Sequence, residues 1–146
     1  FRPRIMAAVR ATTWMVPPLM GEIATDWIAS GMADSIAANR RQETARRQSI
    51  ARAVLGPLAG DAAPQAYHLW VKLPAPWRAT DFVAEARQRG VLIAPTDVFA
   101  VGRRHEEEAV RICLGSPASA DAVRQGMEIL RDLIPQAADT RYLAVV

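Results

Sequence analysis

Apolar positions recur along this chain with two different periods, and the change between them falls near residue 65. Before it the spacing is helical. "PRIMAAVRATTWM" opens on Pro3, which suits a first helical turn, and Pro17-Pro18 interrupt it. "LMGEIATDWIASG" puts Ile23, Trp27 and Ile28 on one helical face, with Gly31 as terminator. A long helix is predicted from Ala33 to Leu55, apolar at its ends (Ile36, then Ile50, Val54 and Leu55) and polar through "NRRQETARRQ". Glu43 and Arg47 are spaced there to pair on its surface.

"GPLAGDAAPQ", residues 56–65, reads as a linker rich in Gly, Ala and Pro. Beyond it "YHLWVKL" alternates, with Tyr67, Leu69, Val71 and Leu73 on one side and His68, Trp70 and Lys72 on the other. "TDFVAEARQRG" predicts a short helix with Thr80 as N-cap, Gly90 as stop and Phe82, Val83 and Ala86 as its inner stripe. A strand "VLIA", a loop and a strand "AVRICL" follow. A last helix runs from about Ala120 to Leu133, with Ser119 as N-cap, Val123, Met127, Leu130 and Ile134 as its stripe, and Pro135 as stop. The fold class is α+β: interdomain helices over 1–55, then a two-layer β-α-β-β-α small domain over 56–146, its helices on one sheet face.

Composition narrows the picture. The chain has 146 residues, 51% of them hydrophobic, which excludes disorder and suits one modest core. No apolar run approaches the ~20 residues of a membrane span. A net charge of +3 is too small to imply nucleic acid or anionic lipid by itself. Lys72 is the only lysine, so amine chemistry is confined to it and the amino terminus. Cys113 stands alone, which rules out an internal disulfide and suggests a reducing, cytoplasmic setting. The chain opens on Phe1, without an initiator methionine or the apolar core of a signal peptide, and is expected to be a piece of a longer protein.

Candidate chemistry centres on Arg111. In "AVRICL" the residues Val110, Ile112 and Leu114 share the helix-covered parity, and Arg111 and Cys113 point the other way. A guanidinium keeps its charge and is costly to bury unpaired. Two explanations stand at this level: a partner carboxylate of the same protein, or a ligand's carboxylate. His105 with Glu106 to Glu108 loosely suggests a metal, but adjacent carboxylates cannot all converge on one ion, and a solvated hairpin loop is the better reading. His68 beside Trp70 reads as an interface pair, and Cys113 has no obvious partner to lower its pKa. "RRQETARR" has no helix-turn-helix pattern around it and reads as a solvated helix face. Trp14, Trp27, Trp70 and Trp77 read as core or interface anchors.

"HLWVKLP", "FVAEARQRGVLIAPTDVFAV" and "AVRICLG", in that order, resemble the C-terminal part of fold-type I aminotransferases. More narrowly they resemble the MocR subfamily of GntR-type transcription regulators. "TTWMVPPLMGEIATDWIASGMAD" and "RRQETARRQSIARAVL" fit the helices that precede the small domain there, so the resemblance covers nearly the whole chain. Members of that subfamily join a winged-helix DNA-binding domain to an aminotransferase-like domain that uses pyridoxal 5'-phosphate (PLP). The resemblance implies that Arg111 holds the α-carboxylate of an amino acid, for which a planar guanidinium fork is suited. It also implies that the lysine forming the Schiff base with PLP lies upstream of these residues, because Lys72 lies in the motif of the first small-domain strand. No cofactor, catalytic or metal residue is therefore assigned within this chain, and DNA would be bound by a winged helix outside it.

Three functions are compatible with this reading. The first is the effector-domain piece of a regulator that senses PLP or an amino acid–PLP adduct. The second is the same piece of a genuine class I/II aminotransferase, itself not catalytic. The third is an interaction module without a ligand. Ile23, Trp27, Ile28, Ile50, Val54 and Leu55 need apolar cover, which predicts a homo-oligomer joined through the first 55 residues.

Overall fold

The computed structural model describes residues 2–15, 17–101 and 107–134. Their order is α1 (Arg2–Thr12), α2 (Pro18–Ala29), α3 (Met32–Leu55), β1 (His68–Lys72), α4 (Ala79–Gln88), β2 (Ala94–Pro95), β3 (Ala109–Cys113) and α5 (Ala120–Leu133). Short 3₁₀ turns lie at Gly56–Ala59 and Thr96–Phe99. The chain forms two compact units, residues 1–40 and 41–146, which divide within α3.

In the first unit, Pro18 opens α2 in its first turn and Gly31, at φ +76°, lets the chain turn from α2 directly into α3. Neither α1 nor α2 buries a residue, and Ile23, Trp27 and Ile28 are all exposed.

The second unit is α+β. Its sheet has the order β1-β3-β2, with both pairings antiparallel. Leu69 and Val71 of β1, with Val110 and Ile112 of β3, turn one face toward Phe82 and Ala86 of α4 and Val123, Met127, Leu130 and Leu133 of α5. The alternation expected from the sequence therefore holds in both long strands. The second half of α3 joins the same core: Ala51 and Leu55 are buried, and Ile50 and Val54 pack against them. Leu55 finds its cover inside the chain, and Ile50 and Val54 find part of theirs there. The helix that carries them lies against the sheet, and the 3₁₀ turn after it buries Ala59.

Several end signals act as expected. Ser119 caps α5 by accepting the Ala122 N–H at 3.1 Å. Gly90, at φ +84°, closes α4: its N–H bonds Arg87 O at 3.0 Å and the Val91 N–H bonds Ala86 O at 2.9 Å. The start of α4 differs. Arg78, not Thr80, holds the cap position and makes no side-chain cap bond. The Ala79 N–H is taken instead by Glu108 Oε2 at 2.6 Å, a carboxylate brought from the foot of β3 to the positive end of the helix. Thr80 Oγ1, one residue inside the helix, bonds Asp81 at 3.4 Å. The "VLIA" strand also shrinks to Ala94–Pro95, since Leu92 is exposed and Pro95 has no N–H to extend a ladder. Pro135, expected to stop α5, lies outside the described residues.

The Glu43–Arg47 pair forms, with Arg47 Nε 2.8 Å from Glu43 Oε1. That hydrogen bond holds the Glu43 carboxyl below its usual pKa. It is not simply a surface pair, because Arg47 is largely buried: its Nη1 also donates to Leu114 O at 2.8 Å and Pro117 O at 2.9 Å.

Replacing Glu108 by alanine should lower the unfolding free energy by about 1 kcal/mol, the usual worth of a helix cap. Glu108→Gln, which keeps an acceptor but not the charge, should lose less. Urea denaturation measures both, and an unchanged midpoint for Glu108→Ala would mean that the cap contributes nothing.

Candidate functional site

Strand pairing decides which side chains share the open face of the sheet. Trp70 stands opposite Arg111, and His68 opposite Cys113, across β1 and β3. Lys72 continues the same row of β1. The helix-covered face takes the alternate residues, so these five side chains occur together because period two leaves them nowhere else.

Arg111 is intermediate in exposure. Its Cζ lies 4.2 Å from the ring centroid of Phe99, which the second 3₁₀ turn delivers onto the sheet. Trp70 meets the same ring edge to face, at 5.9 Å and 62°. No carboxylate among the described residues pairs with Arg111, and its Nε is buried without a hydrogen-bond partner. The two facts differ in energetic sign. A cation over an aromatic face is stabilised by about 0.5–2 kcal/mol. An unsatisfied buried donor costs about 1–3 kcal/mol, and the contact with the ring gives Nε no hydrogen-bond acceptor. The fork is thus held but not satisfied.

Arg111 opens on a groove of about 660 Å³. Pro57, Leu58 and Asp61 line it from the segment after α3, and His68 and Trp70 from β1. Arg111, Lys72 and Asp61 bring charge to a wall that is otherwise largely apolar, and a few polar groups on an apolar wall are a common plan for small-molecule sites.

The other sequence-derived candidates separate. The Lys72 ammonium is exposed and ion-paired with Glu107 at 2.6 Å. Such an amine does not fit a cofactor lysine, which needs desolvation or a neighbouring cation to become nucleophilic at neutral pH. Glu107 and Glu108 are exposed, as expected of the acidic loop, and each also has a partner: Glu107 pairs with Lys72 and Glu108 caps α4. His105 and Glu106 lie outside the described residues. Among the described residues no group of His, Cys, Asp and Glu is arranged to hold a metal ion. Trp77 packs on Phe82 at 5.1 Å and donates its indole N–H to Ile134 O at 3.3 Å, as a core anchor should. Trp14 and Trp27 are exposed. No helix among the described residues is long and apolar enough to cross a membrane.

Cys113 is a correction. It does have a partner: the turn after β3 folds Ser116 back, and its hydroxyl donates to Cys113 Sγ at 3.3 Å. That bond lowers the thiol pKa most. Partial burial opposes it, and the Gly115 and Ser116 backbone and the charge of Arg111 add to the lowering. A Ser three residues beyond the Cys was the one local signal for it. Nothing local announced Phe99, which depends on how the 94–101 segment crosses the sheet.

No family model matches the chain. It is similar to the uncharacterized HTH-type transcriptional regulator YdeF of Bacillus subtilis (strain 168), 26% identical over 119 residues. The match covers 82% of this chain and 26% of that protein, so the chain spans about a quarter of the length of the curated relative it matches.

The lowered thiol pKa makes a kinetic prediction. Cys113 should react with iodoacetamide along a pH profile whose midpoint lies below that of an ordinary thiol. Ser116→Ala should move the midpoint upward and slow the reaction at neutral pH. Coincident profiles for the two proteins would show that the hydroxyl does not stabilise the thiolate.

Proposed function

We propose that this chain is the effector-binding part of an aminotransferase-like transcription regulator, in which Arg111 takes the carboxylate of an amino acid, free or as its PLP adduct. The observation that carries the regulatory reading is the similarity to YdeF, described as an HTH-type transcriptional regulator, over most of this chain. It favours a regulator over the related aminotransferase reading. The Arg111 fork supports the ligand reading: it is stacked on Phe99, free of carboxylates among the described residues, and faces a groove. DNA contacts and the anchoring of PLP fall to other parts of the longer protein. The residues described here do not fit the cofactor, because Lys72 is exposed and committed to Glu107.

What this chain would supply is binding and orientation. A carboxylate approaching in the guanidinium plane can accept two parallel N–H bonds, while Phe99 supports the cation from one side. The gain is differential if the regulator has two states and only one presents the fork to the ligand.

Two measurements follow. Mixing the chain with PLP, reducing with borohydride and mapping the adducts should give no stoichiometric label on Lys72; specific, complete labelling there would refute the placement of the cofactor lysine elsewhere. In the intact protein loaded with PLP, Arg111→Ala should weaken amino-acid binding about ten- to a hundredfold, the worth of a charge-assisted bidentate contact. PLP binding itself should survive. Arg111→Lys should rescue only in part, because an ammonium lacks the planar fork. Equal amino-acid affinity in wild type and Arg111→Ala, with both folded and PLP-loaded, would reduce Arg111 to a structural residue.

A further inference from the structure

We propose that Trp70 sets the specificity of this site, and that the ligand class it selects is a monocarboxylate carrying an aromatic or large apolar group. The inference rests on the reading of Arg111 as a carboxylate site and goes beyond it. Four observations carry it. Trp70 is the cross-strand partner of Arg111, so their side chains rise from neighbouring positions on one face. Phe99 touches both, stacked on the guanidinium at 4.2 Å and edge-on to the indole at 5.9 Å, which ties cation and aromatic wall into one unit. Both rings remain substantially open, at 43% exposure for Trp70 and 39% for Phe99, although apolar cover would stabilise them. Pro57 and Leu58 extend the apolar surface along the groove.

Charge excludes the alternatives. Of the two described cations lining the groove, Lys72 is ion-paired with Glu107 and Arg111 has no carboxylate partner among the described residues. Asp61 adds a negative charge to the same groove. Among the described residues lining the groove, a second carboxylate on the ligand would find no unpaired cation and would meet Asp61. A short side chain would fill none of the aromatic surface. A monocarboxylate with an apolar body satisfies the fork with its carboxylate and covers Trp70 with its side chain.

The test is a titration of the full chain, uniformly labelled with nitrogen-15, followed by NMR. The Trp70 indole N–H is assigned by its disappearance in Trp70→Leu. The probes are N-acetyl-L-phenylalanine, N-acetyl-L-alanine, N-acetyl-L-aspartate and the uncharged N-acetyl-L-phenylalaninamide. The phenylalanine derivative should bind about three- to tenfold more tightly than the alanine derivative, which is what one aromatic contact provides. The aspartate derivative should bind no better than alanine's, and the amide should give no saturable shift. Trp70→Leu should abolish the preference, so that the phenylalanine and alanine derivatives bind alike. Equal binding of the phenylalanine and alanine derivatives, both lost in Arg111→Ala, would overturn aromatic selection and leave the carboxylate site standing. Binding of no carboxylate, or binding indifferent to Arg111→Ala, would overturn both. Trp70→Phe, which keeps an aromatic surface, should retain most of the preference; if it behaves as Trp70→Leu does in a folded protein, the selection is not aromatic.

Discussion

The outer edge of β1 is the constraint on which the rest of the second unit depends. β1 pairs with β3 on one side only, so its other side presents backbone groups with no strand to bond. The second half of α3 reaches that edge at its start, where Gln48 Nε2 lies 3.5 Å from His68 O. Gln48, 1% exposed, donates its amide to Ala66 O at 2.7 Å just before the strand, and Arg47 donates to Leu114 O and Pro117 O just beyond β3. Each such bond contributes about 1–3 kcal/mol where the donor is charged and less where it is neutral. Their larger effect is positional. They fix the helix to the ends of both long strands, and Ala51 and Leu55 follow into the core. A slip of β1 by one residue would send Trp70 into that core and Leu69 into the open, so the covered edge and the composition of the open face are one constraint.

Much of this was legible in the sequence, and the part that was not has a common cause. Period-two alternation in "HLWVKL" and "AVRICL" sorted the two faces correctly, because burial on one side of a sheet is written directly into parity. Ser119 and Gly90 act on groups within three or four residues of themselves, so their roles were readable as well. Thr80 failed where a distant group won: Glu108, 29 positions away, reaches the helix start first. Arg47 has a near partner, Glu43, which hid its bonds to acceptors 67 and 70 positions away. Ile50, Val54 and Leu55 looked uncovered because the helix pattern alone does not say that a sheet lies beside it. Phe99 above Arg111 is the same kind of long-range fact, brought about by the path of a loop.

The candidate site shows the same division. Its central arginine could be picked out from parity and charge, since a guanidinium in an apolar strand demands an explanation. The sequence left two explanations open, an internal carboxylate or a ligand. Among the described residues the structure offers no internal carboxylate and puts an aromatic ring in that place instead. The resemblance to aminotransferase-like regulators supplied the amino acid as a candidate ligand, while the aromatic wall was visible only once Trp70, Phe99 and Arg111 were in one frame.

Three cations of the second unit show why the ring matters. Arg47 is bonded to one carboxylate and two carbonyls, and serves to hold α3. Lys72 is matched by Glu107 in solvent, where an ion pair is worth at most about 1 kcal/mol. Arg111 alone of the three is steadied by a contact that leaves its N–H edge unused. Had a buried carboxylate held it, a ligand would have had to break that pair, at a cost of about 3–5 kcal/mol, before gaining a comparable one. An aromatic ring orients the guanidinium without competing for its donors, so the full strength of a carboxylate contact remains for whatever enters the groove.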